Sequence, residues 1–129
     1  MNELRPIFKR YAILFSVQYG SSLTRPAPGD VDIALYPRKS LSIKRMATLT
    51  HELQKFFTLP LDLVELSPRT DPLFAYEIIT TGKLLYELKK EIYENFSVYV
   101  WKCYLDTEKL RKLENQYIKK GLKYVSSRY

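Results

Sequence analysis

The sequence predicts a single α/β (α+β) domain, in which helices pack on a mixed sheet of about four strands. Short apolar runs that end at glycine or proline alternate with segments of helical periodicity. One long helical pattern closes the chain. The 129 residues suffice for one hydrophobic core, and a hydrophobic content of 46% with 27% charged residues is ordinary for a globular protein.

The first half of the chain predicts one short helix and two strands. Residues 2–10 have the pattern of a short helix. Residues 11–19 are rich in β-branched and aromatic side chains and end at Gly20, which is typical of a buried strand. Residues 31–36 predict a second strand, which stops at Pro37 because proline has no backbone N–H to donate to a sheet.

A longer helix and a third strand come next. We expect the helix to begin at an N-cap on Ser40 and to run to about residue 57. Residues 59–66 alternate well enough to form the third strand. Asp71 followed by Pro72 has the composition of a helix start, with a side-chain cap and a proline at the first helical position.

The remaining chain predicts a short strand and the long closing helix. Gly82 is suited to end the helix that starts after Asp71, and residues 83–87 then form a short strand. From Glu91 onward the apolar residues recur with helical spacing, and Gly121 is a point at which this helix ends or loosens.

The organisation is therefore a core over residues 1–88 and a C-terminal helix over residues 89–129, within a single domain. We expect this helix to pack on the core and also to offer a surface to a partner. Trp101 and Tyr104 are the candidate partner contacts, and packing against the body of the protein is the alternative for both.

Charge and composition restrict the class of protein. The net charge is +7, and from Lys109 to the end there are seven basic residues and one acidic residue. Such a tail favours solvent or an acidic protein partner, while nucleic acid stays possible. The apolar runs are too short to span a membrane, the N-terminus lacks the apolar core of a secretory signal, and the single cysteine fits a reducing, cytoplasmic location. One histidine and one cysteine are too few for a zinc site.

The stretch YGSSLTRPAPGDVDIAL carries the chemistry. Gly20 lets the backbone approach an anion, and Ser21 offers a hydroxyl to it. Asp30 and Asp32 are two residues apart, so they lie on the same side of a strand. Two adjacent carboxylates are costly without a cation, and their hard oxygen atoms suit Mg²⁺. Taken singly, the Gly-Ser pair favours an ordinary turn, and the two aspartates fit a solvated strand face as well as they fit a metal site.

Asp62 is a third acidic candidate. It lies between Leu61 and Leu63, so its side chain points away from the face that those leucines bury. If this strand lies beside the second one, Asp62 joins Asp30 and Asp32 on one surface. Three carboxylates can hold two Mg²⁺ ions, which suits phosphoryl or nucleotidyl transfer.

These motifs, followed by LDLVELSPRTDPLFAYEIITTGKLLYEL, resemble the minimal nucleotidyltransferases of the DNA polymerase β superfamily over nearly the whole chain. The resemblance implies a nucleotidyltransferase fold. It also implies the antitoxin role of such proteins beside HEPN-domain ribonuclease toxins, in a type VII-like toxin–antitoxin pair. The expected reaction transfers AMP from ATP to a tyrosine of the toxin, in a hetero-oligomer.

The resemblance also implies roles for individual residues. Asp30 and Asp32 would be metal ligands, and Asp62 would bind the second Mg²⁺ and help to ionise the attacking tyrosine hydroxyl. Gly20 and Ser21 would bind the triphosphate. The loop that follows also offers Ser22 and Arg25, which could reach a phosphate.

One departure concerns this loop. Eight residues, Ser22 to Gly29, separate the Gly-Ser pair from Asp30. This interval is shorter than the family's usual one, and Pro26 follows Arg25 where the family often has glycine after arginine. Two alternatives stay open: a non-catalytic antitoxin that neutralises its partner by binding, and nucleotidyl transfer to RNA or to a small molecule.

Overall fold

The computed structural model describes residues 3–20 and 29–128; in the last helix, the side chains are described as far as Gln116 and at Lys119. Within these ranges the elements are, in chain order, α1 (Arg5–Arg10), β1 (Ile13–Tyr19), β2 (Val31–Pro37), α2 (Ile43–Gln54), β3 (Leu61–Glu65), α3 (Pro72–Thr81), β4 (Lys83–Glu87) and α4 (Ile92–Arg128). The predicted order of helices and strands is confirmed.

The strands form one mixed sheet in the order β3-β2-β1-β4. β1 runs antiparallel to both β2 and β4, whereas β2 and β3 are parallel and are joined through α2. The predicted neighbour relation between β2 and β3 is confirmed. Because a parallel pair needs a crossover connection, α2 is the element that makes this pairing possible.

β1 contains a bulge, so the odd-numbered residues before and after it point to opposite faces of the sheet. Ile13 pairs with Pro37, but Phe15 pairs with Tyr36, so one residue of β1 is extra. An added residue reverses the in-and-out alternation. Ile13 therefore packs beneath α1 and α2, while Phe15 packs beneath α3 and α4.

The molecule has three layers, with a separate apolar core on each face of the sheet. On one side α1 and α2 cover a cluster that comprises Leu4, Ile7, Phe8, Tyr11, Ile13, Val31, Ile33, Leu35, Leu49, Leu53 and Tyr86. On the other side α3 and the first turns of α4 cover a cluster of Phe15, Val17, Ala34, Leu66, Ala75, Ile78, Phe96 and Val100. The even-numbered residues of β2 therefore face α3 and α4.

The predicted cap of α2 is wrong. Ser42, not Ser40, is the N-cap, and its hydroxyl accepts a hydrogen bond from the N–H of Arg45 at 3.1 Å. Ser40 donates its own hydroxyl to Glu65 at 2.7 Å, and the N–H of Leu41 donates to the same carboxylate at 2.8 Å. Glu65 thus binds the segment before α2 to the end of β3.

Several boundaries are tighter than the sequence indicates. The first strand begins at Ile13 and not at residue 11, because Ala12 has a φ of 54°, which interrupts the extended backbone. The third strand is Leu61–Glu65 and α2 ends at Gln54, so both are shorter than expected. The helix predicted from residue 2 is α1, which starts at Arg5.

The residues predicted to start and end α3, Asp71 and Gly82, are its N-cap and C-cap. Asp71 caps the helix and accepts from the N–H of Leu73 at 3.4 Å. Gly82 is the C-cap with an extended backbone, and its N–H donates to the carbonyl of Ile78. A Cβ atom at Gly82 would lie 2.5 Å from that carbonyl, so glycine is required here by close packing.

The last helix extends far beyond the body. Its 37 residues make it about 55 Å long, since each residue adds about 1.5 Å. The helix continues through Gly121, contrary to the expectation that it ends or loosens there. Leu110 and Leu113 are 60% and 57% exposed, so the later turns have left the core. Among the described residues, no helix is both long enough and apolar enough to cross a membrane.

Candidate functional site: a carboxylate cluster at one end of the sheet

The carboxylates singled out in the sequence lie at the end of the sheet where β1 finishes and β2 and β3 begin. Asp32 and Asp62 are direct partners in the parallel pairing of β2 and β3. Both are flanked by residues that pack toward α1 and α2, so both side chains are on the opposite face, whose core residues pack against α3 and α4. Asp30 lies immediately before β2.

The three charges act on one another. Partial burial raises the pKa of Asp32 above its ordinary value, and the negative charges of Asp30 and Asp62 raise it further. A raised carboxyl pKa means that the ionised form is disfavoured at this position. Asp32 is therefore the member of the cluster that a cation would relieve most.

Gly20 contacts this cluster directly. Its φ is +82°, a left-handed conformation that residues with a Cβ atom rarely adopt. A Cβ atom built at this position would lie 2.5 Å from Oδ2 of Asp32. The backbone of Gly20 thus lies against the Asp32 carboxylate, and any other residue would displace it.

Two further residues belong to the site and were missed in the sequence. Tyr19 is the partner of Asp32 across the β1–β2 pair, and its ring meets Phe74 edge-on with 5.9 Å between ring centroids. Burial, together with the negative charges of the three aspartates and of Glu77, raises the pKa of Tyr19 to about 12. The phenol therefore stays protonated at neutral pH.

The signals for these two residues differ. Tyr19 directly precedes Gly20, and its alternation with Val17 could have placed it on the site face if the pairing of β1 with β2 had been known. Glu77 is exposed on α3 and has no local signal, because its proximity depends on how α3 crosses the sheet.

The donor chemistry of the site fits a magnesium ion, since Asp30, Asp32 and Asp62 offer only carboxylate oxygens. The side chains are not already gathered around a cation: among the described residues, no group of three or more acidic, histidine or cysteine side chains is arranged to hold one. The predicted phosphate contacts Ser21, Ser22 and Arg25 lie outside the described residues.

The two aromatic candidates on α4 have different surroundings. The ring of Tyr104 stacks on that of Tyr76, with 3.8 Å between centroids and 7° between planes, and Arg111 covers its other side at 4.9 Å. Tyr104 thus packs on the body of the protein. Trp101 is 52% exposed and is free to meet another molecule.

The fold and the cluster define a class of protein. The model of the family "Polymerase beta, Nucleotidyltransferase" matches residues 2–91, which include every element from α1 to β4. The chain belongs to this nucleotidyltransferase family. No curated protein sequence matches the chain significantly.

Solved structures share this fold over about nine tenths of the chain. A toxin–antitoxin with AMP-PNP superposes with a TM-score of 0.71 and 20% identity, covering 92% of this chain and 97% of the other. A tri-AMPylated HEPN toxin from Shewanella oneidensis in complex with MNT antitoxin gives 0.69 and 19%, with 92% and 94% covered. The MntA–HepT toxin–antitoxin gives 0.67 and 18%, with 92% and 95% covered. At these identities the likeness is one of fold.

Proposed function

We propose that the protein is a nucleotidyltransferase antitoxin, which transfers AMP from ATP to a tyrosine of a HEPN-domain toxin. The observation that carries the proposal is the register of β2 and β3, which sets Asp62 directly beside Asp32 on one face. Membership of the nucleotidyltransferase family supports the reaction class. The likeness in fold to toxin–antitoxin complexes, one with AMP-PNP and one with an AMPylated toxin, supports the acceptor.

In this proposal the chain contributes positioning and charge. Asp30, Asp32 and Asp62 hold Mg²⁺, which neutralises charge on the triphosphate when it is bound. Gly20 offers its backbone to the phosphates, since it has no side chain of its own to keep them away. Asp62 is the more exposed of the two paired aspartates, so it is the carboxylate that an incoming tyrosine hydroxyl can reach.

The proposed acceptor group has a counterpart in the site. Tyr19 lies beside Asp32 as a phenol that stays protonated at neutral pH, because its pKa is raised to about 12. A protein that presents a tyrosine at this edge of the sheet would bring the same kind of group to the carboxylates.

The test uses the protein with ATP, Mg²⁺ and a candidate HEPN-domain toxin from its genomic neighbourhood. We expect the toxin mass to rise by one AMP unit or a multiple. The double substitution Asp30→Asn with Asp32→Asn should abolish the increase, because it removes two of the carboxylates that would hold the Mg²⁺ ions that neutralise the triphosphate. Asp106→Asn is the matched control, since Asp106 is exposed on α4, outside the cluster.

The same experiment separates transfer from simple occlusion. If the double variant, folded by circular dichroism, still protects cells from the toxin, neutralisation needs only binding. If the wild-type protein adds no AMP to the toxin but adds it to RNA or to a small molecule, the acceptor in the proposal is wrong while the nucleotidyltransferase activity stands.

A further inference from the structure

The outward side of α4 carries an exposed apolar stripe. Val98, Trp101 and Leu105 are 47%, 52% and 40% exposed, and they recur at intervals of three and four residues. At about 100° per residue they occupy one side of the helix, opposite to Phe96 and Val100, which are buried against the sheet. α4 therefore has two apolar sides, and the body of the protein covers one of them.

Charged residues of opposite sign flank this stripe. Glu94 lies one turn before Val98, and Lys109 lies one turn after Leu105, so all of them fall within about 80° of the helix circumference. Both charged side chains are exposed, and neither forms an ion pair with another described residue. We name Glu94, Val98, Trp101, Leu105 and Lys109 the α4 stripe.

The α4 stripe is complementary to itself when it is reversed. Its midpoint falls between Trp101 and Lys102, and the acidic and basic ends are equally far from it. The two aliphatic members are equally far from it as well. We propose that two copies of the protein associate through the outward faces of their α4 helices, packed antiparallel about a two-fold axis at this midpoint.

This pairing satisfies every member of the stripe. Glu94 of one copy meets Lys109 of the other, and Val98 meets Leu105, each contact occurring twice by symmetry. The two Trp101 rings lie on the same flank of the interface and meet across the two-fold axis, where aromatic side chains can pack against each other. The polar pairs lie at the rim and the apolar side chains lie at the centre, as in known interfaces.

Charge selects the antiparallel direction. Parallel helices would place Lys109 against Lys109 and Glu94 against Glu94. They would also bring together the two basic C-terminal segments, in which seven basic residues and one acidic residue follow from Lys109 onward. Antiparallel packing sends these segments to opposite ends of the dimer, so their mutual repulsion is small beyond the screening length of about 10 Å.

A shallow hollow beside the stripe supports the same occupant. It has a volume of about 280 Å³ and lies between α3 and α4, next to Trp101. Ile79 and Thr80 form its floor on the side of α3, while Ser97 and Val98 form the side of α4. A leucine from a second α4 helix, packed at the usual interaxial distance of about 8–10 Å, has a place to insert here.

The test is the oligomeric state of the protein alone, without nucleotide or toxin. Sedimentation velocity across about a hundred-fold range of concentration should show a monomer–dimer equilibrium. Trp101 is the one tryptophan in the sequence, so its emission should shift to the blue over the same range as its ring loses water. A monomer at every concentration, or an emission maximum that does not move, overturns the proposal.

Charge swapping tests the geometry. Glu94→Lys or Lys109→Glu alone should weaken association about ten-fold, because each turns two symmetry-related attractions into repulsions. The two substitutions in one chain should restore it, whereas failure of that double variant to dimerise refutes antiparallel pairing.

Substitutions of two exposed leucines test whether the α4 stripe is the interface. Leu105→Glu should abolish the dimer, while Leu110→Glu should leave it intact, since Leu110 is exposed on a different side of the same helix. Equal effects of the two would show that the stripe is not the interface. Adenylylation of the toxin by the Leu105→Glu protein, measured in parallel, reports on the proposed function independently.

Discussion

Replacing Gly20 with alanine tests whether the site depends on backbone contact with Asp32. The substitution adds one methyl group at a residue with a φ of +82°. That methyl carbon would lie 2.5 Å from Oδ2 and 3.3 Å from Cγ of Asp32, so the carboxylate must rotate or the turn must move. Either change alters the position of the central carboxylate of the cluster.

The magnitude has two parts. A residue with a side chain in the left-handed region costs about 1–2 kcal/mol, and the close contact with Asp32 adds strain to this. We expect the free energy of unfolding to fall by about 1–3 kcal/mol, which for a domain of this size lowers Tm by roughly 4–12 °C. Nucleotidyl transfer should fall by more than a hundred-fold, because displacement by about 1 Å at a catalytic centre can have an effect of this size.

Gly29→Ala is the matched control. Among the described residues other than its chain neighbours, no atom lies within 4 Å of a Cβ atom built at Gly29, and the φ of Gly29 is outside the left-handed region. We expect its stability to change by no more than about 0.5 kcal/mol and its activity to be retained. The assays are thermal unfolding and the mass increase of the toxin. If Gly20→Ala unfolds and transfers AMP like Gly29→Ala, the reasoning about the turn is wrong.

Three further predictions concern single residues. Asp32→Asn should raise the stability of the metal-free protein at pH 7, since the raised pKa of Asp32 makes its ionised form unfavourable in the fold. Urea titrations should show this gain shrinking to nothing as the pH falls below the unfolded pKa of 3.8. The same variant should lose most of the increase in Tm that Mg²⁺ gives the wild type, and an equal increase would exclude Asp32 as a ligand. Tyr104→Ala should lower the free energy of unfolding by about 1–2 kcal/mol by removing the stack on Tyr76, and a neutral result in urea would contradict that contact. Asp71→Ala should cost about 0.5–1 kcal/mol through loss of the cap, which calorimetry can measure.

Local chemistry made much of the fold predictable. Proline, glycine and aspartate mark their positions by backbone preferences that need no tertiary context, so Asp71 could be recognised as a cap from its neighbour Pro72. The alternation of residues around Asp62 likewise predicts on which face of the strand its side chain lies, without knowledge of the neighbouring strand. The sequence alone could not show whether Ser40 or Ser42 caps α2. The hydroxyl of Ser40 is bound instead by the carboxylate of Glu65, which is distant in the chain.

The site was predictable only in part for a similar reason. Asp30 and Asp32 lie in one short segment, and the parity of strand residues puts Asp62 on their side of the sheet. The contributions of Tyr19 and Glu77 depend on pairing and on helix crossing, which are properties of the assembled layers. Helical periodicity also could not tell where α4 leaves the body, since apolar residues recur on both sides of the boundary.

The bulge in β1 connects the core to the site. Side chains alternate with a period of two, so without the extra residue Tyr19 would share the face of Ile13, beneath α1 and α2. The bulge lets Ile13 anchor that layer while Tyr19 and Asp32 share the opposite face. A one-residue insertion or deletion between Phe15 and Tyr19 would undo this arrangement and separate Gly20 from the carboxylate it contacts. The same change ahead of Ile13 would leave the pairing, and with it the geometry of the site, unaltered.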